Sequence, residues 1–167
     1  SFNTPCTAEG CIRLLDHYGI PLAGRHAVIL GRSARVGKPL ALLLLQRDAT
    51  VTVCHSHSRD LPELCRQGDI LICAAGAPGL VDASFVRPGQ TVINVGGDAD
   101  EEAVEPVVAH LAPFKGGVGP VTTAVLLRHV NRLSGHVVGI KAPGNGAVLY
   151  SCGGIPAEGE KTGAGRR

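Results

Sequence analysis

The sequence predicts an α/β fold, a single domain built on a doubly wound parallel sheet, and three observations carry that prediction. Four short runs of aliphatic and β-branched residues recur at intervals: HAVILG (26–31), ATVTVCH (49–55), DILICAA (69–75) and TVINV (91–95). Stretches with helical spacing separate most of them, the alternation expected of parallel strands joined by right-handed crossovers. The filling agrees. With no Trp, two Tyr and three Phe in 167 residues, the core must be built from Val, Leu, Ile and Ala, as in a sheet covered on both faces. Finally, the first strand runs into the glycine-bearing turn of VILGRSARVGKP (28–39) and then a helix, the arrangement that holds phosphates in α/β proteins. This length supports one main core.

Taken in order, Thr7 can cap a helix from Ala8 to about Tyr18, with Ile12 and Leu15 on one face and Gly19 as its stop. After the first strand and its turn, residues 40–46 continue as a helix apolar almost all round, which should be buried. A short amphipathic helix is expected over 59–66. Residues 99–111 have helical spacing, with Pro106 starting or kinking a helix there. The glycine-rich loop FKGGVGPVT (114–122) then leads into an apolar helix from about Thr123 to Leu133. These elements make a Rossmann-like domain over 1–134. Residues 135–167 read as an irregular Gly-rich tail, partly disordered, with a weak strand-like patch at 147–150. GEKTG in that tail is a poor phosphate loop, because Glu160 stands where a glycine is needed before Lys161.

At the first turn, the unpaired N–H groups of a helix start and the positive end of its dipole point outward together. Gly31 allows a sharp turn and Gly37 a close helix approach, two of the three glycine tasks in a dinucleotide fingerprint. The spacing is G-x5-G rather than G-x-G-x-x-G. A tight βα connection with no ligand is the plainer alternative. The end of the second strand favours a ligand. A site selective for NAD places a carboxylate there to accept from the ribose hydroxyls. Here the residues are His55, Ser56, His57, Ser58 and Arg59, with no acid among them. Hydroxyls, imidazoles and a guanidinium, with Arg32 nearby, suit the 2′-phosphate of NADP. The alternatives are a solvated loop or, more remotely, a metal held by the H-x-H pair.

Catalytic machinery is harder to find. The sequence contains neither a G-x-S-x-G elbow nor H-E-x-x-H. Asp98, Asp100, Glu101 and Glu102 precede a helix and read as surface charge complementing its dipole. The GGVGP segment, Gly116, Gly117, Val118, Gly119 and Pro120, reads either as backbone lying against a ligand or as a plain connector.

A net charge of +2 with His neutral, and no long basic run, does not indicate nucleic acid. The longest apolar stretch, residues 40–45, is far short of a membrane span. Cys6, Cys11, Cys54, Cys65, Cys73 and Cys152 show no CxxC and read as reduced thiols of an intracellular protein. Beginning with Ser1, the chain reads as a fragment or processed product.

TPCTAEG (4–10), GRSARVGKPLALLLL (31–45), ATVTVCHS (49–56), DILICAAGAPG (69–79) and GGVGPVT (116–122) closely resemble the bifunctional methylenetetrahydrofolate dehydrogenase/methenyltetrahydrofolate cyclohydrolases. The similarity is collinear over about 4–133 and covers that family's C-terminal, cofactor-binding domain. The resemblance implies NADP-linked oxidation of methylenetetrahydrofolate and hydrolysis of the methenyl product. It implies cofactor contacts from Gly31, Arg32, Ser33 and Ser56, with Gly97 beside the nicotinamide. It also implies a folate cleft bordered by Gly116, Gly117, Gly119 and Pro120, a homodimer, and a cytoplasmic or mitochondrial location. The family's key lysine and tyrosine, and the carboxylate that grips the pterin, belong to its N-terminal domain. The resemblance therefore implies little or no turnover by this chain alone. Two positions depart from the pattern. Gly97 follows directly where an isoleucine and a hairpin are usual, and Pro113-Phe114-Lys115 replaces P-V-P. A non-catalytic nucleotide-binding or dimerisation module, and a folded remnant without a ligand, are the alternatives.

Overall fold

The computed structural model describes residues 5–134 and 150–151. In chain order the elements are α1 (Cys6–His17), β1 (His26–Leu30), α2 (Gly37–Leu45), β2 (Thr50–Cys54), α3 (Leu61–Gln67) and β3 (Ile70–Cys73). A single 3-10 turn, Ala83–Phe85, precedes β4 (Thr91–Asn94). Then come α4 (Glu101–Val104), β5 (His110–Ala112), α5 (Val118–Ser134) and β6 (Tyr150–Ser151). The strand order is β2-β1-β3-β4-β5-β6. The first five strands are parallel, and β6 pairs antiparallel with β5.

Alternation along each strand divides the core into two layers. Ala27 and Ile29, Ile70 and Ile72, Ile93 and Ala112 face α1 and α2, where Leu14, Leu15, Leu40 and Leu44 complete one apolar layer. Val28 and Leu30, Leu71 and Cys73, Val92 and Leu111 face the other way, against Cys65, Val81, Phe85 and Val104. A sheet covered on both faces explains why its strands read as unbroken apolar runs. On the first side α1 and α5 approach closely at Gly10, where an added Cβ would lie 3.1 Å from Thr122 Oγ1 and 3.2 Å from Val118 Cγ1.

Several local expectations are corrected. The helix expected over 99–111 is only Glu101–Val104, and residues 110–112 form a fifth parallel strand. Pro106 lacks the N–H that would continue the hydrogen-bond ladder beyond Glu105, which ends the helix. A three-residue strand is too short for periodicity to reveal. Helix α1 begins at Cys6, with Pro5 as its cap and the Pro5 carbonyl accepting from Glu9 N, so Thr7 lies within the first turn. The apolar helix α2 is not wholly buried: Leu40 and Leu44 are, but Leu42 is 63% and Leu45 53% exposed. Helix α5 begins at Val118, so Gly119 and Pro120 belong to its first turn, where a missing N–H costs nothing. The reading of 135–167 as a disordered tail, and Cys152 with it, lies outside the described residues apart from Tyr150 and Ser151.

Candidate functional site

The C-terminal ends of the parallel strands meet along one edge, and the chain reverses its winding between β1 and β3. In parallel α/β sheets this switch point opens the crevice where ligands bind. Leu30, the last residue of β1, is level with Cys54 of β2 and Cys73 of β3. Gly31 N donates to Cys54 O at 2.8 Å, and Ala74 N donates to Leu30 O at 2.7 Å, so three loops leave the sheet together.

Only glycine fits the turn at both of its ends. Gly31 has φ +122°, and a Cβ on it would lie 2.2 Å from Ala74 O. A Cβ on Gly37 would lie 2.1 Å from Gly31 O. Between them, Ser33 Oγ accepts from Val36 N at 3.1 Å and Ser33 O accepts from Lys38 N at 3.0 Å. The hydroxyl thus helps build the turn as an acceptor and keeps its own proton to donate to an anion. Arg32, Arg35 and Lys38 are all exposed, and none joins an ion pair among the described residues.

Beyond β2 the HSHS segment closes on itself. Ser58 N donates to His55 O at 2.9 Å and His55 N to Ser58 Oγ at 3.0 Å. His57 N donates to His55 Nδ1 at 3.2 Å. Ser56 and Arg59 remain exposed, on the loop that follows the strand neighbouring β1. Among the described residues no group of three or more His, Cys, Asp or Glu side chains gathers as a metal site would require.

The acidic cluster is only in part the surface feature expected of it: Asp100 and Glu102 are exposed at the start of α4, and Asp98 is not. Asp98 is fully buried, and its carboxylate accepts from Ala75 N at 2.9 Å and from Ala77 N at 2.5 Å. It ties the loop after β4 to the loop after β3, beside the switch point. Glu101 Oε1 accepts from Asn94 Nδ2 at 2.8 Å and from Phe114 N at 2.6 Å, joining β4, α4 and the loop before α5. Asp100 is the conventional helix cap, accepting from Ala103 N at 3.3 Å. Sequence offered no signal for the roles of Asp98 and of Glu101 toward Phe114, because those partners lie on the loops of other strands.

Two strands away from the turn, a cleft of about 360 Å³ opens where β4 ends, lined by Thr7, Asn94, Val95, Phe114, Val118, Gly119 and Thr122. The glycines of the GGVGP segment divide between two tasks. Gly116 has φ +84°, and a Cβ on Gly117 would lie 2.2 Å from Pro113 O, so the turn itself requires both. Gly119 has nothing within 4 Å of its Cβ position and lines the cleft, whereas Pro120 beside it does not. Gly97 has φ +76° and packs under the Phe114 ring. Gly31, Arg32 and Ser33 thus belong to the turn, Ser56 to the loop after the neighbouring strand β2, and Gly97 and Gly119 to the second location.

Cys11, Cys54, Cys65 and Cys73 are free thiols. Burial pushes Cys11 and Cys65 up to about 12, and burial together with the Asp98 charge raises Cys73 well above the ordinary thiol value. Such thiols are inert as nucleophiles.

The fold and the switch-point turn define the class: a Rossmann-like α/β domain with an anion-type turn between β1 and α2. The chain belongs to the tetrahydrofolate dehydrogenase/cyclohydrolase family, whose NAD(P)-binding domain model matches residues 5–136. It is 54% identical over 140 residues to the bifunctional protein FolD of Thermomicrobium roseum, covering 78% of this chain and 48% of that protein. The crystal structure of the bifunctional FolD dehydrogenase/cyclohydrolase from Campylobacter jejuni superposes with a TM-score of 0.74 at 41% identity, covering 77% of this chain and 49% of that one. The FolD of Trypanosoma brucei, solved in complex with NADP cofactor and an inhibitor, gives 0.71 at 38% identity, covering 75% and 48%. The chain spans about half the length of the curated relatives it matches.

Proposed function

We propose that this chain is the NADP-binding part of a bifunctional methylenetetrahydrofolate dehydrogenase/methenyltetrahydrofolate cyclohydrolase. The observation that carries the reading is the turn in which Gly37 closes on the Gly31 carbonyl at the switch point, beside the exposed cations Arg32, Arg35 and Lys38 and flanked by an acid-free loop. That cradle fits a dinucleotide. The start of α2 would receive the pyrophosphate. Arg32, Ser33 and Ser56 would hold the phosphorylated ribose, and Gly97, packed against the Phe114 ring, would lie beside the nicotinamide. When bound, NADP supplies the hydride acceptor for oxidation of the methylene carbon.

At the cleft assigned to folate, Gly116 and Gly117 shape the backbone and Gly119 lines the wall, with Pro120 next to it in the first turn of α5. The described residues contribute shape and cofactor contacts, with no evident acid, base or electrophile of their own at the cleft. By family the reaction is that of an oxidoreductase and hydrolase. The 167-residue chain assayed alone is expected to show little or no turnover.

Pairing with a second copy belongs to the same proposal, supported by the exposed Leu42 and Leu45 on α2 beside the edge strand β2. So does an intracellular location, cytoplasmic or mitochondrial, which the buried reduced thiols favour. Among the described residues no helix is long and apolar enough to cross a membrane.

The test is thermal melting with saturating NADP or NAD. A ligand that binds only the folded state raises its melting temperature. NADP is expected to stabilise the chain clearly more than NAD, and equal or absent shifts refute the cofactor assignment. Sedimentation against concentration checks self-association. A second reading, a non-catalytic nucleotide-binding module, is favoured by the direct Gly96-Gly97-Asp98 junction. It gains if NADP binds but an added folate-binding half restores no turnover.

A further inference from the structure

Phe114 stands apart from the other large exposed apolar residues. Leu42, Leu45 and Leu126 lie on helices, whereas Phe114, 52% exposed, forms part of the cleft wall at the end of β4. A Cβ position on Gly97 is 3.6 Å from each of the Phe114 Cδ1, Cδ2 and Cε2 atoms. Equal distances to three ring atoms mean that the ring turns a face toward Gly97. Below the ring, Phe114 N donates to Glu101 Oε1, which also accepts from the buried Asn94 amide. The backbone that carries the ring is therefore anchored to β4. An aromatic ring held in this way, half exposed beside two threonine hydroxyls and a carboxamide, is a surface for a flat polar heterocycle.

Topology selects the heterocycle. Strands lie about 4.8 Å apart, so β4 stands roughly 10 Å from β1, on the side opposite β2. A dinucleotide with its adenosine over β2 and its pyrophosphate at the β1–α2 turn carries its second ring toward β4. We propose that Phe114 is the stacking platform for the nicotinamide ring, the contact that orients it in the cleft. The proposal rests on the reading of the chain as an NADP-binding domain.

Titrations of the full chain with NADP+ and with 2′-phospho-ADP-ribose, which lacks the nicotinamide, separate the two claims. Phe114→Leu is expected to weaken NADP+ roughly three- to tenfold and to leave 2′-phospho-ADP-ribose unchanged, with Phe114→Tyr restoring the wild-type ratio. A second readout uses the absence of Trp from the chain. In Phe114→Trp the single indole should be quenched by NADP+, whose nicotinamide quenches on contact, and not by 2′-phospho-ADP-ribose. Equal loss of both ligands in Phe114→Leu, tighter NADP+ binding, or unquenched indole with NADP+ bound would overturn the platform while leaving the cofactor assignment intact. Failure of the wild-type chain to bind either ligand overturns both.

Discussion

Gly37 sits directly on the carbonyl of Gly31: a Cβ at position 37 would stand 2.1 Å from that oxygen, well inside any real contact. The atoms in the way are backbone, so no side chain can swing aside to relieve the clash. Gly37→Ala should therefore displace the start of α2 from the end of β1. We expect a loss of at least about 1–3 kcal/mol in urea unfolding. We also expect disappearance of the NADP-induced rise in melting temperature, since the displaced amides no longer converge on the phosphate.

Arg32 is exposed at the turn and joins no ion pair among the described residues. Removing it should therefore cost little stability. Its expected effect is on the ligand. A hydrogen bond to a charged group is worth about 1.5–3 kcal/mol, so Arg32→Ala should weaken NADP by about ten- to a hundredfold while changing NAD little. Calorimetric titration of both cofactors checks this, and parallel losses would show that Arg32 does not meet the 2′-phosphate.

Asp98 makes a different prediction, because its carboxylate is an internal brace between two loops. Asp98→Ala leaves the amides of Ala75 and Ala77 without their acceptor, and should cost about 1–3 kcal/mol. Asp98→Asn keeps one acceptor oxygen and should lose less. Amide exchange at residues 75 and 77 should accelerate in both variants. Substituting Glu102, which is exposed, should leave exchange there unchanged.

Acid sensitivity has a traceable contributor in Asp69. Its carboxylate accepts from His26 N at 2.9 Å and pairs with Arg87 Nη2 at 3.2 Å. The His26 amide first, and Arg87 after it, hold this carboxyl below its ordinary value. A depressed folded-state value means stability that is complete above the unfolded carboxylate pKa, about 4, and lost as pH falls through the folded value. The side chain is 41% exposed, so solvent screens the effect and keeps it modest. Asp69→Asn should thus be less stable than the parent at pH 6, with the difference shrinking as pH drops below about 4. Urea midpoints measured across that range decide it.

Four of the five parallel strands, the glycine turn and its neighbouring acid-free loop were legible in the sequence, because each depends on residues close together along the chain. Periodicity reports which face of an element is buried, and Gly31 and Gly37 announce a backbone that no side chain could follow. The short strand β5 escaped notice because three residues carry no usable period. Leu42 and Leu45 look like core residues locally, and they are exposed because, among the described residues, no element packs over that face of α2.

By itself, the sequence determined the α/β class, the position of the phosphate-type turn and the absence of an acid beside it. What only the tertiary structure decided is how distant loops meet at the sheet's edge. Asp98 became a buried brace rather than surface charge. Phe114, in the sequence only a departure from P-V-P, became a wall of the cleft, with Glu101 anchoring its backbone to Asn94. The physical reason is common to all of them. A carboxylate is buried only where amides from another part of the chain supply its hydrogen bonds, and an aromatic ring borders a cleft only where the fold places one.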